Sequence, residues 1–269
     1  MPFTTVKNIS IYYEILGEGP RLMFISGTGG DLRLKPSVFN SLLAKHFEIL
    51  AFDQRGLGQT DKPDTSYTMF DYAADAASLL EELGWKSCFV MGVSFGGMVA
   101  QEFALRYPQR VEKMVLACTS SGGEGGSSFP LHELLLGTSL RERAVRMIEL
   151  LDTRYDKAWQ TTHPRQFKVM IDQRVKRYRF AESEPGRAVG ARRQLEARMH
   201  HDTYERLPNL QMPVFICGGK YDGISPPENL RALCGRIPNA QLEFFDGGHG
   251  FLLQDPKAYQ NIIDFFVQE

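Results

Sequence analysis

Apolar and polar positions follow two rhythms along this chain. Short continuous apolar runs, "RLMFIS" at 21–26, "FEILAFD" at 47–53, "SCFVM" at 87–91, "VEKMVLAC" at 111–118, "MPVFICGG" at 212–219 and "AQLEFFD" at 240–246, are too short for helices. They predict buried strands of a parallel sheet. Between them the apolar residues take helical spacing. Phe70, Ala73, Ala74, Ala77, Leu80 and Leu83 mark a helix over 69–83 that Gly84 stops, and further helices are predicted over 95–106, 227–235 and 256–268. "SVFNSLLAKH" reads as a short amphipathic helix, and "VKNISIYYEILGEGP" as a hairpin of one or two strands. Strands alternating with helices give an α/β fold of βαβ units, with helices on both faces of the sheet. The alternation breaks after Cys118. "TSSGGEGGSS" reads as a flexible stretch, and 131–206 as helices without a strand. The pattern therefore predicts a core of 1–121 plus 207–269 with a helical cap inserted at 122–206.

Charge narrows the partners. The formal net charge is −1 over 269 residues, which gives no global electrostatic case for nucleic acid or an anionic membrane. No apolar run approaches a membrane span, and "MPFTTVKNISIYYE" lacks a basic region followed by an apolar core. The four cysteines, Cys88, Cys118, Cys217 and Cys234, are scattered and read as small hydrophobes in a reducing, cytoplasmic setting. Residues 141–206 carry 16 Lys/Arg against 10 Asp/Glu, so the insertion is basic and the remainder acidic. The plainer reading is a solvated helix face with salt bridges to the core; the alternative is attraction of anionic substrates. Monomer against homodimer stays open.

One serine stands out. "GVSFG", Gly92 to Gly96, follows a predicted strand and opens a predicted helix, the placement a nucleophile elbow requires. A serine on so sharp a turn takes strained backbone angles, and side chains two residues to either side would crowd it. The turn also sets the Phe95 N–H at a helix N-terminus, where an oxyanion would form. A hydroxyl needs a base, and among six histidines His249, in "FFDGGHGFLLQDP", follows a strand between two glycines. Asp222, in "ICGGKYDGISPP", also follows a strand. Asp246 is the rival acid, but it lies close in sequence to His249. In a parallel sheet the loops after such strands share one edge. "HHD" at 200–202 makes a poor metal site, because adjacent histidines on a helix point apart, and "HELLL" at 132 lacks a second histidine. No metal or cofactor is expected.

These residues resemble the α/β-hydrolase family, serine-nucleophile branch. The resemblance rests on "GVSFGG", "GGKYDGISPP", "DGGHGFLLQDP" and "AFDQRGLGQTDKP", the last similar to the family's D-x-R-G-x-G-x-S motif with Thr60 in place of serine. It implies an eight-stranded, mostly parallel sheet with a helical lid after strand six. It further implies a triad of Ser94, His249 and Asp222, with backbone N–H groups of Thr28 and Phe95 as the oxyanion hole. The loop after the third strand is usually His-Gly in that family; here Ser26 replaces the histidine, at the cost of a hydrogen bond that braces the loop. The run 67–120 looks most like enol-lactonases and small-molecule esterases.

The expected activity is hydrolysis of a small ester or lactone with an apolar acyl part. Phe129, Leu134, Leu135, Met147, Leu151, Trp159 and Met170 of the insertion are candidates for the acyl pocket. Thioester or C–C hydrolysis on the same residues is the alternative, as is a hydrolase-like receptor with little turnover.

Overall fold

A computed structural model describes residues 2–135 and 138–268, apart from the side chains of Leu135, Ala181 and Glu182. Eight strands form one sheet in the order β1-β2-β4-β3-β5-β6-β7-β8. They are β1 (Phe3–Val6), β2 (Ile9–Leu16), β3 (Arg21–Ile25), β4 (Glu48–Phe52), β5 (Cys88–Val93), β6 (Val111–Ala117), β7 (Val214–Gly219) and β8 (Ala240–Phe245). Only β2 runs against its neighbours, β1 and β4; every other pairing is parallel. The eight-stranded, mostly parallel sheet is thus the one the resemblance implies, and its central strands are apolar on both faces because both faces are covered.

The helices are α1 (Met69–Glu82), α2 (Phe95–Arg106), α3 (Leu140–Leu151), α4 (Lys157–Thr162), α5 (Pro164–Glu182), α6 (Arg187–Met199), α7 (Pro227–Arg236), α8 (Phe251–Gln254) and α9 (Lys257–Val267). Helix α1 starts at Thr68, whose hydroxyl accepts from Asp71 N while Asp71 returns the bond to Thr68 N, a reciprocal cap. It buries Tyr72, Ala73, Ala76, Leu79 and Leu80 in a cluster shared with α2 and α7. On the opposite face, α9 buries Ile262, Ile263, Phe265 and Phe266 against β3–β6 residues such as Leu22, Met91 and Val115. Helices α3–α6 all fall between β6 and β7, and no strand interrupts them among the described residues.

Two expectations fail. "SVFNSLLAKH" forms two short 3-10 turns, Val38–Asn40 and Leu42–Lys45, instead of a helix. Ser41 between them is extended, and its hydroxyl donates to the Val38 carbonyl, so a polar side chain outcompetes the helical ladder. The Gly/Ser stretch after β6 is not a flexible linker at its start. Thr119, Ser120 and Ser121 are fully buried, and the Ser120 carbonyl accepts from Gln101 Nε2 and faces His201 Nε2 at 3.2 Å. Small residues here serve close packing.

Candidate active site

Strand register sets the site. Ile25 pairs with Gly92, Val93 with Ala117, Ala117 with Cys217, and Gly219 with Phe245, so β3, β5, β6, β7 and β8 end along one edge. The loops leaving that edge carry Thr28, Ser94, Asp222 and His249.

Ser94 occupies the single position between β5 and α2, with φ 56° and ψ −116°. That conformation is costly for a residue with a Cβ, and it persists because neighbours fix it. Its N–H donates to the Ala117 carbonyl at 2.8 Å, and its own carbonyl accepts from Thr119 Oγ1 at 2.7 Å and Gly97 N at 2.9 Å. The flanking glycines answer to contact. A Cβ on Gly92 would overlap the Gly96 carbonyl, and one on Gly96 would overlap the Ile25 carbonyl.

His249 Nε2 stands 2.9 Å from Ser94 Oγ, and His249 Nδ1 stands 2.7 Å from Asp222 Oδ2. Asp222 is buried, and its other oxygen accepts from Ile224 N at 2.8 Å and Ser225 N at 2.9 Å. The His249 N–H donates to the Leu151 carbonyl at 2.6 Å, tying the loop after β8 to the end of α3. A buried acceptor, an imidazole and a hydroxyl in series let the ring take a proton from Ser94 while the carboxylate holds the tautomer. Asp246, the rival acid, turns away: it is mostly exposed and pairs with Arg154 at 3.2 Å.

Among the described residues, Cys118, Asp222 and His249 form the one grouping of His, Cys, Asp and Glu atoms tight enough for a metal ion. Hydrogen bonds already use the Asp222 and His249 atoms, and burial pushes the Cys118 thiol well up, away from the thiolate a metal needs.

The loop after β3 lies against the serine. A Cβ on Gly27 would sit 3.3 Å from Ser94 Cβ. Neither the Thr28 N–H nor the Phe95 N–H has an acceptor among the described residues. Three side chains brace this loop. Gln54 Nε2 donates to the Ser26 carbonyl at 2.8 Å, Gly29 N–H donates to Gln194 Oε1 at 2.9 Å, and Arg187 reaches the Gly29 carbonyl at 3.2 Å. Asp53, at the end of β4, accepts from Leu32 N and Gln59 N, both at 2.8 Å, and burial pushes its carboxyl up to about 6. Thr60, where serine is usual, donates to the Asp53 carbonyl at 2.6 Å and accepts from Tyr12 N at 2.9 Å. The sequence reading missed Gln54, Gln194 and Arg187. No local signal marks Gln194, which lies among arginines on α6.

Ser94 and His249 open into a cavity of about 530 Å³ whose far walls come from α3, α5 and α6. Of the expected acyl-pocket residues, Leu134, Met147 and Leu151 line it. Phe129 packs behind them, Trp159 stacks on His163, and Met170 packs in a separate cluster with Ile148 and Ile171. The Leu135 side chain lies outside the described residues.

A family model described as the alpha/beta hydrolase fold matches residues 20–256. The chain belongs to the alpha/beta hydrolase family. A poly(3-hydroxyalkanoate) depolymerase from Ectopseudomonas oleovorans is 30% identical over 249 residues, 92% of this alpha/beta hydrolase and 84% of that protein. The crystal structure of the enol-lactonase from Burkholderia xenovorans is similar, with a TM-score of 0.79, 21% identity, and coverage of 99% of this chain and 100% of the other. A thermophilic esterase from Thermogutta terrifontis has a TM-score of 0.73, 24% identity, and coverage of 98% and 96%. At those identities the two solved structures speak to the fold. The family and the curated relative support hydrolase activity for this alpha/beta hydrolase.

Proposed function

We propose that this protein is a serine hydrolase that cleaves a carboxylic ester or lactone of a small molecule through an acyl-enzyme. The observation that carries the reading is the hydrogen-bonded series Ser94 Oγ, His249, Asp222, closed at 2.9 Å and 2.7 Å in a cavity large enough for a small organic molecule. Ser94 attacks the carbonyl carbon as His249 Nε2 takes its proton. Asp222 steadies the imidazolium, and the free N–H groups of Phe95 and Thr28 receive the oxyanion. His249 then gives the proton to the leaving alkoxide. Water, deprotonated by the same ring, releases the acid and restores Ser94. No step calls on a metal or cofactor.

The relative named for depolymerising a poly(3-hydroxyalkanoate), whose units are joined by ester bonds, favours ester chemistry. In this reading helices α3–α6 are a lid over the serine, supplying the apolar wall for the acyl part. The substrate is a small molecule in the cytoplasm. No helix among the described residues is long and apolar enough to cross a membrane.

A fluorophosphonate, which phosphonylates activated serines, tests the reading. Peptide mass spectrometry is expected to find one adduct, on Ser94, and none in Ser94→Ala or His249→Ala protein. An adduct elsewhere, or equal labelling of His249→Ala, would remove the basis for the proposal.

A further inference from the structure

Among the described residues, the cavity over Ser94 is lined by five arginines and by no aspartate or glutamate. Two of the five are neutralised by the scaffold. Arg187 pairs with Asp31 at 2.8 Å, and Arg192 lies 3.7 Å from Asp64 and 3.8 Å from Glu196. The other three, Arg143 on α3 and Arg174 and Arg177 on α5, have no carboxylate within 4.0 Å among the described residues. Residues three apart on a helix share a face, so Arg174 and Arg177 point the same way.

Further donors around this cavity lack acceptors among the described residues. Arg143 Nε is buried without a partner, as is the hydroxyl of Tyr178, whose ring the Arg143 guanidinium covers at 4.2 Å. Gln194 adds a third. Its Oε1 must face the donating Gly29 N–H, so Nε2 is the free end, and it too is buried and unpartnered. Burial, and after it the charges of Arg177 and Arg143, holds the Arg174 guanidinium below its ordinary pKa against an opposing pull from Tyr178. Like charges held together without a counter-ion raise the free energy of the empty site, and an anion relieves it.

We propose that the substrate of this site carries a terminal carboxylate, held by Arg143, Arg174 and Arg177 at the end of the cavity remote from Ser94. The inference rests on the hydrolase reading and names its substrate class. Two planar guanidiniums side by side match a carboxylate through paired N–H donors. Helix α3 fixes the spacing. Arg143, Met147 and Leu151 follow at intervals of four, and the Leu151 carbonyl holds the His249 N–H. Arg143 is therefore two turns, about 12 Å of helix rise, from the catalytic histidine. Met147 lies between them on α3, and Leu134, Leu195 and Ile224, which pack with it, also line the cavity. The substrate this shape takes is an ester or lactone at one end, an apolar spacer of several atoms, and a carboxylate at the other.

Mono-4-nitrophenyl esters of glutaric, suberic and sebacic acids, compared with their methyl-capped neutral counterparts, test the proposal. Wild-type protein is expected to favour the acids in kcat/KM by about ten-fold or more, with an optimum at one chain length and a margin that shrinks as sodium chloride is raised. Arg174→Gln and Arg177→Gln should bring that ratio towards one, and Arg177→Lys should keep part of it. Arg177 is exposed, so its variants serve if Arg174→Gln does not fold. A wild-type ratio near one, or a ratio that survives both glutamine substitutions, overturns the proposal. An equal gain from a phosphonate-terminated ester overturns the carboxylate assignment. Absence of turnover of every ester counts against the hydrolase reading alone. Calorimetric titration of suberate onto Ser94→Ala protein then decides the anion site: binding weakened about ten-fold by Arg177→Gln sustains it, and no binding overturns it.

Discussion

The carboxylate of Asp222 divides its oxygens between two tasks. Oδ1 accepts the Ile224 and Ser225 N–H groups, and Oδ2 faces His249 Nδ1. In Asp222→Asn the two backbone donors keep the amide oxygen at Oδ1 and turn the NH₂ towards the ring. His249 Nδ1 must then accept, its proton moves to Nε2, and the ring can no longer take the Ser94 proton. The expected result is a fall in kcat of about 10³–10⁴ with folding intact, read by steady-state kinetics and a melting curve. A loss under ten-fold would show that the ring's tautomer does not govern the rate. Ser94, Asp222 and His249 were legible in the sequence because each sits in a local signature, glycines around a polar residue just after an apolar run. Gln194 and the three cavity arginines were not. Each lies on a polar, arginine-rich helix where nothing local separates a residue turned inwards from one facing solvent.

At the scale of elements, the loop after β3 is positioned by α6 as much as by the sheet. Gln194 holds Gly29 N–H, and Arg187 bridges the Gly29 carbonyl and Asp31. Burial works to raise Asp31's pKa, but hydrogen bonds from Arg33 and Arg187 outweigh it and hold that carboxyl below its ordinary value. Gln194→Ala leaves the Gly29 N–H unbraced beside the proposed oxyanion site. Its expected cost is about ten-fold in kcat, or ~1.4 kcal/mol, with less effect on KM. A change confined to KM would place Gln194 in substrate binding only. The turn itself is less forgiving. Gly92→Ala drives a Cβ into the Gly96 carbonyl and should destabilise the fold by about 1–3 kcal/mol, measured as a lower urea midpoint. Strands and long helices were readable because their apolar periods are distinct. The 38–45 segment was not, because its period is helical while Ser41 breaks the ladder through a local hydrogen bond.

On the scale of the whole molecule, the order of apolar runs contained the parallel strands of the sheet, and their interruption after Cys118 contained the helical segment between β6 and β7. Hidden from the sequence was how the two ends of that segment are fastened. Thr203 N donates to the Ser121 carbonyl at 2.8 Å, and Thr203 Oγ1 donates to Gln101 Oε1 at 2.7 Å. Beside them His201, which is buried, faces the Ser120 carbonyl through Nε2 while Nδ1 has no partner among the described residues. Burial holds the imidazole down at about 4 against an ordinary 6.5. Between those values the unfolded chain binds a proton at His201 that the folded protein refuses. The contribution to stability is therefore complete above pH 6.5, declines on acidification, and is gone by about pH 4, a change of ~3 kcal/mol. Asp53 works the other way. Its carboxyl, raised to about 6 by burial, is protonated in the folded state before the unfolded one, so acidification from pH 6 towards 4 favours folding at that residue. The two slopes offset each other in the wild type, and a substitution separates them. His201→Gln keeps a donor for the Ser120 carbonyl and removes the titrating ring. From pH 7 to 4 the urea midpoint of this variant should rise relative to that of wild type, and parallel curves would mean that folding does not sense acid through His201.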